Sequence, residues 1–105
     1  MPGVKIQIVR FVDDYQPGIV ECQLVDAHGR VWSFIEKIPV VTTEDIWRKS
    51  EYPRPAVIAC KIVGTLRDDA GRKFTRIDTD QPWGIESVEG QTRFDVLPDS
   101  IVTTE

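Results

Sequence analysis

IVECQLVDAHGRVWSFIEKI, residues 19–38, reads as two strands folded about a turn. In its first half Val20, Cys22 and Leu24 alternate with Glu21 and Gln23, the period-two pattern of a strand with one dry face. Asp26-Ala27-His28-Gly29-Arg30 interrupts the alternation, and Gly29 supplies the positive φ that a tight hairpin requires. Trp32, Phe34 and Ile38 share one phase of the second half with Glu36, which the pattern places at the rim because buried carboxylates seldom lack a partner. The stretch predicts an antiparallel pair, 19–26 with 31–38.

Upstream, Val4, Ile6 and Ile8 alternate with Lys5 and Gln7 across residues 4–12. The phase then slips, since Val9 and Phe11 are apolar where the wet face should be and Arg10 takes the dry position, so a bulge or a second covered face is expected. Asp13-Asp14-Tyr15-Gln16-Pro17-Gly18 is the turn that follows.

Downstream, Pro39 should end the second strand of the pair. Residues 43–49 open on Thr43, place Glu44 and Asp45 first and Arg48 and Lys49 last, and so predict a short helix whose charges complement its dipole. A proline-broken loop through Tyr52-Pro53-Arg54-Pro55 follows. Residues 56–67 are the most apolar run, with Val57, Ile58, Ile62 and Val63 on both phases, which predicts a central strand covered on both faces. A turn at 68–72, strands at 73–77 and 92–97, and a frayed tail over 98–105 complete the expectation. Asp26-Ala27-His28-Gly29-Arg30 and Asp69-Ala70-Gly71-Arg72 echo one another as turn chemistry, not as a solenoid repeat.

These elements predict one all-β, mostly antiparallel domain over residues 1–105: a small five- to six-stranded barrel or curled sheet with one short helix around residues 43–49. The element order resembles that of the OB barrel, and an SH3-like barrel gives much the same string. No motif identifies a named family.

A net charge of −4 and a pI near 5.0 disfavour nucleic acid and anionic membrane as partners. No apolar stretch is long enough for a membrane helix and Met1-Pro2-Gly3-Val4-Lys5 opens no signal-peptide core, so the expected setting is cytoplasmic. Cys22 and Cys60 alternate with aliphatic residues and read as buried, reduced core thiols.

Catalytic chemistry finds little footing. The only histidine, His28, sits in a hairpin turn, so a nucleophilic triad has one candidate base and no elbow motif, and a zinc site from His28, Cys22 and Cys60 lacks a fourth ligand. No glycine-rich phosphate loop occurs, and no cofactor is expected. Asp78, Asp80 and Glu86 could serve a small acid-dependent hydrolase, but Asp80 before Gln81-Pro82 reads more simply as an Asx-turn acceptor.

Two features exceed a plain scaffold. Pro82 and Trp83 in one connection, and Trp47 and Tyr52 in another, place aromatics on loops, where they suit a protein partner or self-association or else fold back as lids over a small barrel. Arg67, Arg72, Lys73 and Arg76 surround Phe74 in the hairpin of residues 66–77, which on an OB-like barrel would belong to an oligonucleotide or oligosaccharide groove, though Asp68 and Asp69 dilute it. The leading expectation is a non-catalytic protein-interaction module using aromatic loops, with the oligonucleotide- or oligosaccharide-binding barrel as its alternative.

Overall fold

In a computed structural model that describes residues 1–103, the alternating N-terminal run forms β1 (Pro2–Asp13) and the 19–38 stretch forms β2 (Ile19–Val25) and β3 (Val31–Lys37). Then come α1 (Ile38–Val41), β4 (Arg54–Ala59), β5 (Lys61–Arg67), β6 (Lys73–Asp78) and β7 (Arg93–Val96). A 3-10 turn (Pro98–Ser100) and β8 (Ile101–Thr103) complete the chain. Every strand pair is antiparallel. One five-stranded sheet runs β3-β2-β1-β4 with β8 also on β1, and a three-stranded sheet runs β5-β6-β7.

The bulge in β1 resolves the conflict in its sequence. Pairing with β2 shifts between Ile8 and Arg10, so Ile8 stays opposite Cys22 on the core face while Arg10 meets Glu21 outside and forms an ion pair with it. Phe11 then returns to the core face opposite Val20. One extra residue thus keeps both the aliphatic and the charged side chains on favourable sides.

Rows of core residues follow from the register. Ile8, Cys22 and Phe34 lie side by side across three strands, with Val4 opposite Ile58 and Ile6 opposite Ala56. The second sheet contributes Ile77, Phe94 and Val96 to the same apolar cluster. Phe94 receives Trp32 edge-on at 5.2 Å and Phe34 at 5.7 Å, which locks the sheets face to face. Glu36 is half-buried, and burial first, opposed by Lys37, pushes its carboxyl up.

Four expectations need correction. The central strand is β1, which pairs with β2, β4 and β8. The 56–67 run instead breaks at Cys60, whose N–H donates to Pro2 O at 3.1 Å, and divides into β4 in one sheet and β5 in the other. Its apolar character serves a corner between sheets, and Ile62 and Val63 are each 43% exposed rather than covered. No helix forms at residues 43–49, where Ile46 is drawn into the core and Arg48 is held on Asp14 and over the Phe11 ring. The helical turn lies at Ile38–Val41, with Pro39 in its first turn where a missing N–H costs nothing.

The barrel is the third correction. Between the open sides of the two sheets, Val88 N–H donates to Ser33 O and Ala27 N–H to Asp95 O, both at 2.8 Å, but no ladder joins the sheets. Two packed sheets, rather than a closed barrel, are what the described residues form. The fourth concerns the tail, which is paired with β1 through β8 as far as Thr103; residues 104–105 lie outside the described residues. No described helix is long and apolar enough to cross a membrane.

The turn echo is a shared hydrogen-bond design, one residue off the register read from sequence. Asp26 Oδ1 accepts the N–H groups of His28 and Arg30, both at 2.9 Å. Asp68, not Asp69, does the same for Ala70 at 3.0 Å and Arg72 at 2.8 Å. Ser87 makes a third version, its Oγ accepting Gln91 N–H at 3.0 Å. Each turn ends through a glycine of positive φ, at Gly29, Gly71 and Gly90.

Cys22 and Cys60 are both buried and free. Burial first, then Glu36 and Glu21, pushes the Cys22 thiol up to about 12, and burial pushes Cys60 up to about 11. Neither presents a thiolate near neutral pH. A thiol reagent added to the native protein should therefore label them only slowly, reaching full rate after denaturation, whereas rapid native labelling would contradict the burial.

Candidate interaction surface

The turn between β1 and β2 and the loop between α1 and β4 meet at one end of the first sheet. In the turn, Asp13 Oδ1 accepts Tyr15 N–H at 2.9 Å, and Gly18 N–H donates to Tyr15 O. Gly18 has φ +98°, a backbone conformation that favours glycine, and a Cβ there would also press the Ile38 Cδ1 methyl at 2.8 Å. Ile38 N–H donates to Gly18 O at 3.1 Å, which ties α1 to the turn. Tyr15, held on this base, is 79% exposed.

The 42–53 loop has no regular structure but many anchors. Trp47 N–H donates to Ser50 Oγ at 3.0 Å, Ser50 N–H to Trp47 O at 2.9 Å, and the Tyr52 hydroxyl to the same carbonyl at 2.7 Å. The Tyr52 ring packs against the core. Arg48 reaches Asp14 at 3.3 Å and lies over the Phe11 ring, while Glu44 pairs with Arg54 at 2.9 Å. Ile46 is buried, yet its neighbour Trp47 is 64% exposed.

Between turn and loop lies a cleft of about 610 Å³ bordered by Gln16, Pro17, Pro39, Thr43, Asp45 and Trp47. The aromatic loops read from sequence are thus only partly united. Trp47 and Tyr52 are joined by a hydrogen bond, whereas Pro82 and Trp83 do not line this cleft. Trp83 is 65% exposed on its own turn, where Gly84 has φ +67° and its N–H donates to Asp80 O at 2.7 Å. Below that turn, the fully buried Thr79 hydroxyl donates to Ile85 O at 2.7 Å. Sequence reasoning missed Tyr15, although its position in a polar turn after Asp13 and Asp14 marked it as solvent-facing.

The basic hairpin is not a free cationic patch. Arg76 makes a paired contact with Asp95 at 2.8 and 3.1 Å, and Arg72 lies 3.5 Å from Asp68, 3.2 Å from Ala27 O and over the Phe74 ring. Arg67 donates to Gly71 O at 3.1 Å, while Lys73 is exposed and Phe74 buried. His28 stacks edge-on against Phe74 at 5.1 Å and comes within 3.7 Å of Asp95, away from the buried cysteines. No group of three His, Cys, Asp or Glu side chains able to hold a metal occurs among the described residues. Asp78, rather than Asp80, is the Asx acceptor: its Oδ1 takes Asp80 N–H at 2.9 Å and its Oδ2 lies 3.4 Å from Arg93. Glu86 is exposed.

At this opposite end each sheet holds a carboxylate with its own side chains, and His28 of the first sheet's hairpin comes within 3.7 Å of Asp95 of the second. Burial alone would raise the Asp26 carboxyl, but hydrogen bonds from the Trp32 indole and the Arg30 and His28 amides hold it below the usual range. Hydrogen bonds from Arg76 hold Asp95 below that range against the effect of burial. A depressed carboxylate stabilises the fold above its unfolded-state value and loses that contribution as pH falls through its folded-state value. Urea midpoints should therefore fall below about pH 4, and fall less steeply in an Asp26→Asn/Asp95→Asn variant. Parallel pH profiles would contradict this assignment.

Comparison with protein-family models, curated proteins and solved structures returned no match.

Proposed function

We propose that this chain is a non-catalytic protein-binding module that engages its partner through the Tyr15–Trp47 end. The observation that carries this reading is the contrast at Trp47, whose indole is 64% exposed while three hydrogen bonds hold its own backbone. An exposed aromatic on a pinned loop loses little entropy when it is buried by a partner, the property of a binding hot spot. The adjoining cleft lies beside Trp47, and the turn that supplies its Gln16 and Pro17 also carries a second exposed aromatic, Tyr15.

The oligonucleotide alternative has less support, because Arg72 and Arg76 face Asp68 and Asp95 and the chain is net acidic. The hydrolase alternative is weakened by the commitment of Asp78 to Asp80 and Arg93. Buried thiols at Cys22 and Cys60 fit a reducing, cytoplasmic setting. Selection of a random peptide-display library on the intact chain tests the reading. Enriched peptides should bind wild type and Trp83→Ala alike and lose binding to Trp47→Ala; peptides indifferent to Trp47 would overturn it.

A further inference from the structure

We propose that the free edge of β4 takes up an extended, uncharged segment of another protein as an added strand, beginning beside the Trp47 cleft. This rests on the protein-binding reading and names the form of the partner.

The β1–β4 register decides which backbone groups are available. Gln7 lies opposite Pro55, Lys5 opposite Val57 and Gly3 opposite Ala59, while Cys60 N–H bonds to Pro2 O. Antiparallel partners alternate between bonded and non-bonded pairs, so Ala56, Ile58 and Cys60 face β1. The N–H and C=O groups of Val57 and Ala59, and the Pro55 carbonyl, consequently point away from it. Among the described residues β4 pairs with no strand but β1.

Two other edges are guarded. β5 carries Lys61, Arg67 and a register shift between Ile62 and Gly64, and β3 has its Ser33 carbonyl taken by Val88 N–H. Val57 to Ala59 bear no charge. Beside them runs a groove of about 700 Å³, lined by Lys5 and Gln7 of β1, by Val57 and Ala59 of β4 and by Pro39, Val40 and Val41. Thr42, Thr43 and Glu44 border both this groove and the Trp47 cleft, so one bound segment can touch both. The charged side chains lining the groove, Lys5 and Glu44, are of opposite sign, so a segment charged either way is repelled by one of them, which favours an uncharged segment.

A row of outward amide and carbonyl groups is complementary to an extended peptide backbone, and alternate side chains of such a strand would enter the groove. A second copy fits less well. Its own β4 edge is flanked by the same Pro39–Glu44 wall, so edge-to-edge pairing brings two walls to one seam, whereas a lone strand brings none.

The test uses a peptide enriched by the display selection and its affinity for the intact chain. Val57→Pro deletes an outward donor while sparing the β1 ladder, a position where an edge strand tolerates proline. It should weaken binding by about tenfold or more, with the β-sheet circular dichroism unchanged. Independently of any protein variant, single N-methylation along the peptide should alternate, every second amide causing a loss of about tenfold and the intervening ones little change. Unaltered affinity of folded Val57→Pro, or methylation effects without alternation, would overturn strand addition; loss on Trp47→Ala in that case leaves the aromatic face standing. Alternation and Val57→Pro sensitivity without Trp47→Ala sensitivity would support the edge and overturn the aromatic face. Failure of wild type to enrich any peptide counts against both.

Discussion

Phe34→Ala is expected to lower the unfolding free energy by about 3–5 kcal/mol, the range for deleting a buried aromatic ring. Phe34 is fully buried, flanks Cys22 in the row that crosses the first sheet, and lies 5.7 Å from Phe94 of the second. Its removal opens a cavity where the two sheets meet, and single domains commonly have only about 5–15 kcal/mol in all. The neighbouring Ile35 is 44% exposed on the outer face opposite Glu21, so Ile35→Ala should cost only about 0.5 kcal/mol. Denaturant titration of the two variants reads the strand register directly. Comparable losses would mean that β3 presents both faces to a core, and a larger loss at Ile35 would mean that its register is shifted by one residue.

Trp47→Ala should behave in the opposite way, leaving stability within about 0.5 kcal/mol while weakening a display-selected peptide by about 2 kcal/mol or more. The indole covers little of the core, since Ile46 and Tyr52 already pack there. Tyr52→Phe provides the finer control. It keeps the ring packed and removes only the hydroxyl that holds Trp47 O at 2.7 Å, so the peptide should weaken by a smaller factor through lost preorganisation. A stability loss of about 3–5 kcal/mol in Trp47→Ala would instead make the indole part of the scaffold.

How far these features were legible in the chain depends on whether the signal was local. Strands β1 to β3 were, because alternation with one wet face marks a strand without knowledge of its partner, and the phase slip at Val9 to Phe11 announced its own bulge. The 56–67 run was misread because continuous apolarity suits equally a doubly covered strand and a strand that changes sheets. Only tertiary pairing at Cys60 distinguishes the two. The charge order of residues 43–49 imitated a helix, but Ile46 in the core and Arg48 on Asp14 and Phe11 fixed the loop instead. Asp68 was hidden beside Asp69 and Ser87 by its different chemistry, so a turn design used three times read as a single echo.

The candidate site divides in the same way. That Trp83 stands on a loop followed from composition, but that Trp47 and Trp83 are exposed rather than folded back as lids did not, and the approach of Gln16 and Pro17 to Trp47 required the β1–β2 turn and the α1–β4 loop to meet at one end of a sheet. The β4 edge was wholly non-local, since an unpaired backbone group leaves no mark on the residue that carries it. The arginines show the reverse error. Clustered in sequence, they are dispersed by Asp95, Asp68 and backbone carbonyls once the sheets pack.

Amide chemical-shift mapping of the intact, isotope-labelled chain with a display-selected peptide tests the central claim most directly. The account predicts perturbations centred on Tyr15, Thr43, the Trp47 indole and Val57, with the Asp26–Arg30 and Asp68–Arg72 turns unmoved. Shifts confined to those two turns, with the Trp47 indole unaffected, would contradict it.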